Sequence, residues 1–303
     1  MISSKVLVTG GKGLVGSALN ENFIKVGRKY DLTKQKQVDY LFKKYTPDHV
    51  IHTAGKVGGV GGNSNFQADY FYENLCINTN VINACKKYNV KRLIAFTSTC
   101  VFPESPTYPL TEDQIHLGPP HKSNYGYAYA KRMTDIQIRA YNEQYNLNYF
   151  TVIPCNIYGP NDNFNIDNGH VIPSLIHKAY LAKKNKTNLE IWGTGTPLRE
   201  FIFSKDVAKI VEILLKNYDK TTPVIISSDT EISIKDLVDI IIKKIDFNGK
   251  VVYNVEQPDG QYKKPSDNSR MKKYINEFEF TSIEDGIEET INWFLENYGK
   301  ARK

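Results

Sequence analysis

Thr9-Gly10-Gly11-Lys12-Gly13-Leu14-Val15-Gly16 stands between the apolar run Lys5-Val-Leu-Val-Thr9 and a helical pattern that begins at Leu14. A buried strand that turns through spaced glycines into a helix constrains the fold more than any other feature of the chain. Glycines at 10, 13 and 16 permit the tight turn, the close approach of backbone to a pyrophosphate, and close packing of the helix. The first N–H groups of that helix, which have no partner within it, face the anion. The same three glycines could make a plain turn, but the strand before and the helix after them point to a dinucleotide.

Strands and helical patterns then alternate. His49-Val-Ile-His-Thr53 is a strand, residues 70–87 a helix, Arg92-Leu-Ile-Ala-Phe96 a strand running to Ser98, residues 125–144 a helix, and Tyr149-Phe-Thr-Val-Ile153 a strand. Such alternation predicts an α/β fold, a Rossmann-type doubly wound parallel sheet covered on both faces. Beyond residue 155 turns become denser, at Gly159-Pro160, Gly193-Thr-Gly195 and Pro258-Asp-Gly260, between helices expected near 173–183, 204–216, 233–244 and 283–297. The chain therefore divides into a dinucleotide-binding domain over 1–155, to which part of the later chain returns, and a smaller α/β substrate domain over 156–303. The smaller domain is expected at the carboxyl edge of the sheet, where open α/β folds bind ligands. A helix over 14–24 leaves little chain before Asp31, so the second strand is expected to be shortened or missing and the adenosine side open.

Composition narrows the function classes. With 303 residues, 41% hydrophobic and 24% charged, the chain is an ordinary globular one. No apolar run approaches the roughly 18 residues of a membrane span, and the first residues lead straight into a strand, so no membrane is expected and the cytoplasm is the default location. Cys76, Cys85, Cys100 and Cys155 lack CxxC spacing, which indicates neither a metal site nor a disulfide framework. The net charge of +6 is spread without a basic block. It suits anionic small molecules as well as nucleic acid, and the motifs decide against nucleic acid.

Tyr127-Ala-Tyr-Ala-Lys131 lies on the helix expected over 125–144. Residues four apart share a helical face, so the Lys131 ammonium is expected beside the Tyr127 hydroxyl, lowering its pKa, with Ser98 approaching from a strand end as a proton-transfer site. Tyr30/Lys34, Tyr40/Lys44 and Tyr180/Lys184 have the same spacing but no strand-end hydroxyl upstream, and are expected to be solvated pairs. NAD enzymes of such folds usually carry an acidic residue about 20 residues beyond the glycines. Here Lys12, Arg28 and Lys29 occupy that region, and such cations suit the 2′-phosphate of NADP. Asp31-Leu32 is expected to touch the adenine edge, or Asp31 to cap a helix starting near Thr33.

These residues resemble the extended short-chain dehydrogenase/reductase family. The likeness extends through Ala54-Gly-Lys56-Val-Gly-Gly59, Ser98-Thr-Cys100-Val-Phe-Pro103, His121-Lys-Ser-Asn-Tyr-Gly-Tyr127, Pro154-Cys-Asn156-Ile-Tyr-Gly-Pro160, Asp162-Asn-Phe164, His170-Val-Ile-Pro173, Trp192-Gly-Thr-Gly195, Arg199-Glu-Phe201 and Gln257-Pro-Asp-Gly260. Together these motifs are similar to a nucleotide-sugar branch that epimerises carbons 3 and 5 of GDP-4-keto-6-deoxy-D-mannose and then reduces carbon 4 with NADPH.

The resemblance implies roles for single residues. Cys100 and His170 would be the epimerising pair. Ser98 and Tyr127 would hold the ketone oxygen, Tyr127 giving its proton during reduction, and Lys131 would bind the nicotinamide ribose. Leu14, Val15, Ala54, Lys56, Pro154, Asn156, Ile157 and His170 would add cofactor contacts. Thr99, Asn156, Val171, Lys178, Trp192, Arg199, Asp259 and Lys264, with Ser98, would hold the GDP-sugar. The helices over 70–87 and 125–144 resemble the pair through which the family forms homodimers. Alternatives are an enzyme for another GDP-4-keto sugar such as a heptose, a sugar 4-epimerase or 4,6-dehydratase of the same fold, and a non-catalytic NADP-binding regulatory subunit. The dehydratase lacks its acidic pair at Thr99-Cys100, and the regulatory reading must explain intact Ser98, Tyr127 and Lys131.

Overall fold

The computed structural model describes residues 4–257, 259 and 262–303; Pro258 and Gly260 of the expected turn lie outside the described residues. In chain order the elements are β1 Val6–Thr9, α1 Leu14–Ala18, β2 Ile24–Val26, α2 Gln35–Tyr45, β3 His49–His52, α3 Val60–Asn65, α4 Gln67–Lys87, β4 Arg92–Phe96, α5 Tyr125–Tyr145, β5 Tyr149–Pro154 and β6 Asn156–Tyr158. They continue with α6 Val171–Asn185, β7 Leu189–Trp192, β8 Leu198–Phe203, α7 Ser204–Asn217, β9 Val224–Ile226, β10 Glu231–Ser233, α8 Ile234–Lys244, β11 Val251–Asn254, α9 Ser269–Lys272 and α10 Ile283–Glu296.

Six strands form a parallel sheet in the order β2-β1-β3-β4-β5-β9. β1, β4 and β5 are apolar along almost their whole length because helices cover both faces, which removes the polar alternation of a half-exposed sheet. One face packs Val8, Ile94, Phe150 and Val152 against α7, the other packs Leu7, Val50, Leu93 and Tyr149 against α2 and α4. Both α7 and β9 come from beyond residue 200, so late chain completes the sheet. At its edge the buried Glu112 carboxylate accepts the Ile225 N–H at 3.0 Å, with Arg270 3.7 Å away.

The chain passes from β1 out to β2 and returns on the other side of β1 to β3, so the strand order reverses between β1 and β3. Open α/β sheets take their ligands in the crevice at that reversal. A second core, built on Phe164, Ile176, Phe203, Leu237 and Phe294, lies under the small sheets β10-β8-β6 and β11-β7.

Near the amino terminus one expectation is corrected and another is met in its milder form. The first helix stops at Ala18 rather than near residue 24, and the second strand is shortened, as expected, to three residues rather than missing. The short helix releases enough chain for Ile24–Val26 to pair with β1, and Gly11 N–H donates to Val26 O at 2.8 Å. A Cβ on Gly11 would stand 2.6 Å from Lys25 Cβ, so glycine there lets β2 close onto the turn.

Candidate active site

The carboxyl ends of β1, β3, β4 and β5 carry most of the expected site residues. Gly10 reverses the chain at φ +71°, a left-handed conformation, and a Cβ on it would meet Thr53 Oγ1 at 2.7 Å and Ala54 N at 2.8 Å. Gly16 lies against the same turn, its added Cβ 2.3 Å from Gly10 O. Gly13 precedes α1 and no side chain bonds the helix's first N–H groups, leaving donors for an anion. Leu14 and Val15 anchor α1 in the core. Lys12 is exposed with its stem against Gly27, next to the exposed Arg28, so the two cations meet at the carboxyl end of β2. This cradle, which side chains would fill, together with that basic corner, fits a phosphorylated dinucleotide.

Asp31 does not cap α2. Its Oδ1 accepts Thr33 N–H at 3.0 Å and Thr33 Oγ1–H at 2.6 Å, closing a local turn, while α2 starts at Gln35 with no side-chain cap. Leu32 is buried, and its carbonyl accepts from Asn80 Nδ2 at 2.9 Å.

Tyr127 and Lys131 lie one turn apart on the inner face of α5, 5% and 3% exposed. Lys131 Nζ donates to Phe96 O at 2.8 Å and stands 5.8 Å from the Tyr127 ring centre. Burial lowers the lysine to about 8, a thiolate at Cys100 acting in the opposite sense. The expected acidified phenol is corrected: burial drives Tyr127 well above the ordinary range, with Cys100 and Tyr70 adding to the effect. Desolvation outweighs the neighbouring ammonium, so Tyr127 keeps its proton and is a donor.

Ser98 follows β4, and its Oγ accepts Cys100 N–H at 3.4 Å across the single turn Thr99–Val101. Lys264 Nζ donates to Thr99 O at 2.9 Å and is lowered by burial, opposed by Cys100. Cys100 is thus close enough to Tyr127, Lys131 and Lys264 for its charge to act on all three. Among residues the motifs did not single out, Tyr70 packs edge-on against Tyr127 at 6.4 Å, and Asn74 accepts Lys56 N–H and donates to Lys56 O. His52 is buried between Thr9 Oγ1 at 2.6 Å and Asn78 Oδ1 at 3.0 Å, and burial lowers it to about 3, Lys131 adding to this. A signal for it existed: Thr9 and His52 are the polar residues that end two adjacent apolar strands.

Lys56 Nζ pairs with Glu73 at 2.6 Å, and Ala54 N–H reaches Thr9 Oγ1 at 3.5 Å. Gly58 lies on the Tyr70 hydroxyl and Gly59 N–H donates to Asn168 O at 2.8 Å, so this glycine-rich loop joins the Tyr127 side to the loop ending at His170. Burial works against a charge on His170, but the Asp162 carboxylate outweighs it and raises the imidazole. Pro154 ends β5, and Asn156 Nδ2 donates to Glu200 O at 2.8 Å beside Ile157 on β6.

The remaining residues spread over the second core. Val171 opens α6, half-exposed. Lys178 lies 4.6 Å from the ring of the exposed Trp192, and both line a cavity of about 260 Å³. Arg199 donates to Leu198 O at 2.7 Å. Asp259 accepts Thr194 N–H at 2.7 Å and Thr194 Oγ1–H at 2.8 Å, holding the turn at Gly193. Lys178, Arg199 and Lys264 are all lowered by burial, as befits cations awaiting an anion in a partly dry cleft.

Residues 6–227 match the NAD dependent epimerase/dehydratase family. The chain belongs to that family. As an epimerase/dehydratase family member it is 46% identical over 312 residues to the GDP-L-fucose synthase of Dictyostelium discoideum, covering 98% of this chain and 97% of the relative. A probable GDP-L-fucose synthase of Drosophila melanogaster is 40% identical, covering 99% of each chain. The crystal structure of a GDP-L-fucose synthetase from Naegleria fowleri bound to NADP superposes with a TM-score of 0.95 at 40% identity, covering all of this chain and 96% of that one.

Proposed function

We propose that this chain carries out the reaction of the GDP-L-fucose synthases, epimerising carbons 3 and 5 of GDP-4-keto-6-deoxy-D-mannose and reducing carbon 4 with NADPH. The observation that carries the reading is the match over nearly the full length to such synthases, joined to a buried Tyr127/Lys131 pair with Cys100 in its field. The sheet half is the cofactor domain, and the half around the second core holds the sugar nucleotide.

The Gly10–Gly16 turn would hold NADPH, with Lys12 and Arg28 available to its 2′-phosphate, and the bound cofactor would supply the hydride. The ketone at carbon 4 acidifies the hydrogens of carbons 3 and 5, because removing either leaves an enolate. Cys100 and His170 take and return these protons from opposite faces, while Ser98 and Tyr127 hydrogen-bond the enolate oxygen. Tyr127 then gives its proton to the same oxygen as an alkoxide forms. Its raised pKa suits this order, since the phenol stays protonated until a strong base appears beside it. Lys178, Arg199 and Lys264 neutralise the diphosphate, and Trp192 offers an apolar face to the nucleoside.

The reading also takes the enzyme as cytoplasmic and homodimeric. Phe66, Phe71, Tyr72, Tyr125 and Ile136 are exposed on or beside α4 and α5, an apolar face that would close as a four-helix bundle across a two-fold axis. Incubation with the keto sugar in deuterated water, with and without NADPH, tests the chemistry. Deuterium is expected at carbons 3 and 5 without reductant, NADPH is expected to be consumed when present, and Cys100→Ser with His170→Asn should stop the uptake. Full exchange in that double variant refutes the assignment.

A further inference from the structure

The half-exposed His170 ring has its Nδ1 buried, so Nε2 is the nitrogen left for a substrate. Nδ1 stands 3.9 Å from Oδ1 of Asp162, too far for a hydrogen bond but within ion-pair reach. Asp162 is 3% exposed; its Oδ1 accepts Asn163 N–H at 2.7 Å, and its Oδ2 has no hydrogen-bond partner among the described residues. A buried carboxylate, one oxygen of which is without a hydrogen bond, thus stands beside a buried ring nitrogen that is itself unbonded.

The loop that carries both groups is fastened from far along the chain. Arg302 O accepts Phe164 N–H at 2.7 Å, Asn163 and Arg302 form a parallel bridge, and Arg302 Nη2 donates to Asn161 O at 2.8 Å. Its guanidinium lies in the field of Asp162. On the loop's other side the 58–62 segment makes backbone contacts at Asp167 to Gly169 and brings no titratable side chain; the exposed Asp167 acts on Lys178 instead. The charged groups facing His170 are therefore Asp162 and Arg302.

We propose that Asp162 and Arg302 are positioning residues for His170, the carboxylate orienting the imidazole and holding its proton, the arginine strapping down the loop that carries both. The inference rests on the reading of His170 as one of the two epimerising groups. In the step itself imidazolium Nε2–H passes its proton to the carbanion left by deprotonation and becomes neutral, and Asp162 stays ionised throughout. An arrangement of this kind couples the histidine's proton affinity to a residue more than a hundred positions away.

Deuterium uptake at carbons 3 and 5 is measured against pH without reductant for the parent chain, Asp162→Asn, Arg302→Ala, Arg302→Lys and His170→Asn. Asp162→Asn keeps the shape and the acceptor for Asn163 N–H but removes the charge that raises His170. The pH at which uptake is half lost should move lower, and the rate above it should fall at least about tenfold, a part of the 10²–10⁴ that a positioned acid–base group contributes. Arg302→Ala should reduce uptake at least about tenfold more than it reduces hydride transfer, read as NADPH formed in a single turnover from GDP-L-fucose and NADP, and Arg302→Lys should recover most of the loss. An unmoved midpoint in Asp162→Asn, or equal losses of both steps in Arg302→Ala, overturns the proposal. Uptake at the parental rate in His170→Asn would instead overturn the role of the histidine.

Discussion

Lys131→Met separates what the buried ammonium does for the hydride step from what it costs the fold. Burial lowers this lysine from 10.5 to about 8, and that displacement corresponds to roughly 3 kcal/mol against the charged folded state. The sign follows from counting protons. Between about pH 8 and 10.5 the unfolded chain holds a proton that the folded chain has released, so stability rises with pH there, and the penalty is fully present below it. Methionine keeps the length and apolar stem but loses the bond to Phe96 O, at about 1 kcal/mol net plus about 1–3 kcal/mol for the unpaired carbonyl. Near neutral pH gain and loss therefore nearly cancel, and the variant should unfold within about 2 kcal/mol of the parent. Going from about pH 7 to about pH 9.5 should favour the parent over the variant by a further 2 kcal/mol or so. Urea unfolding of both proteins at both pH values measures that double difference, in which other titrating groups cancel. A value of zero, or a swing toward the variant, refutes the account of Lys131 as a desolvated ammonium.

Tyr127→Phe should lower NADPH-dependent reduction by about 10²–10⁴-fold, while deuterium uptake at carbons 3 and 5, measured by mass spectrometry, persists; equal loss of both would show the phenol is no dedicated donor. Gly16→Ala places a Cβ 2.3 Å from Gly10 O, an overlap of the kind that costs about 1–3 kcal/mol, and titration calorimetry should show NADPH binding weakened at least about tenfold. Parental affinity would exclude a cradle at that turn. Phe71→Glu puts a charge in the apolar α4/α5 face and should convert a dimer at micromolar concentration to a monomer by light scattering; a parent already monomeric contradicts the assembly.

The sheet strands and long helices were legible because local pattern and burial agree. β1 and β5 are short apolar runs bounded by turn residues, and α4 and α5 keep an inward face over 21 residues each. Failures came where close backbone approach decides. The Val57–Asn65 stretch looks like a loop in sequence, yet α3 forms because Gly58, Gly59 and Gly61 let it lie on Tyr70 and on residues 167–169. The shortening of β2 is legible from the little chain available, but the exact residues of the strand are not, since they are set by pairing with β1 and by the bond from Gly11 N–H to Val26 O. Within the site, residue types at motif positions announced Tyr127, Lys131 and Cys100. The direction of the Tyr127 shift was misjudged because spacing reports a neighbour's charge and says nothing of the water removed. Asp162 belongs to a motif of the resemblance, but its closeness to His170 depends on a loop fastened by Arg302, and no periodicity encodes that.

The carboxylate at the margin of β9 bears on how copies of this chain can meet. An outer strand with idle donors invites a strand from another molecule, but Glu112 has already claimed the central N–H of that border. Growth by adding strands on that flank is thereby blocked. In the proposed dimer self-recognition would instead use the helical surface on the far side of the active-site tyrosine, where a two-fold contact would close on itself and give a discrete particle instead of an open-ended stack.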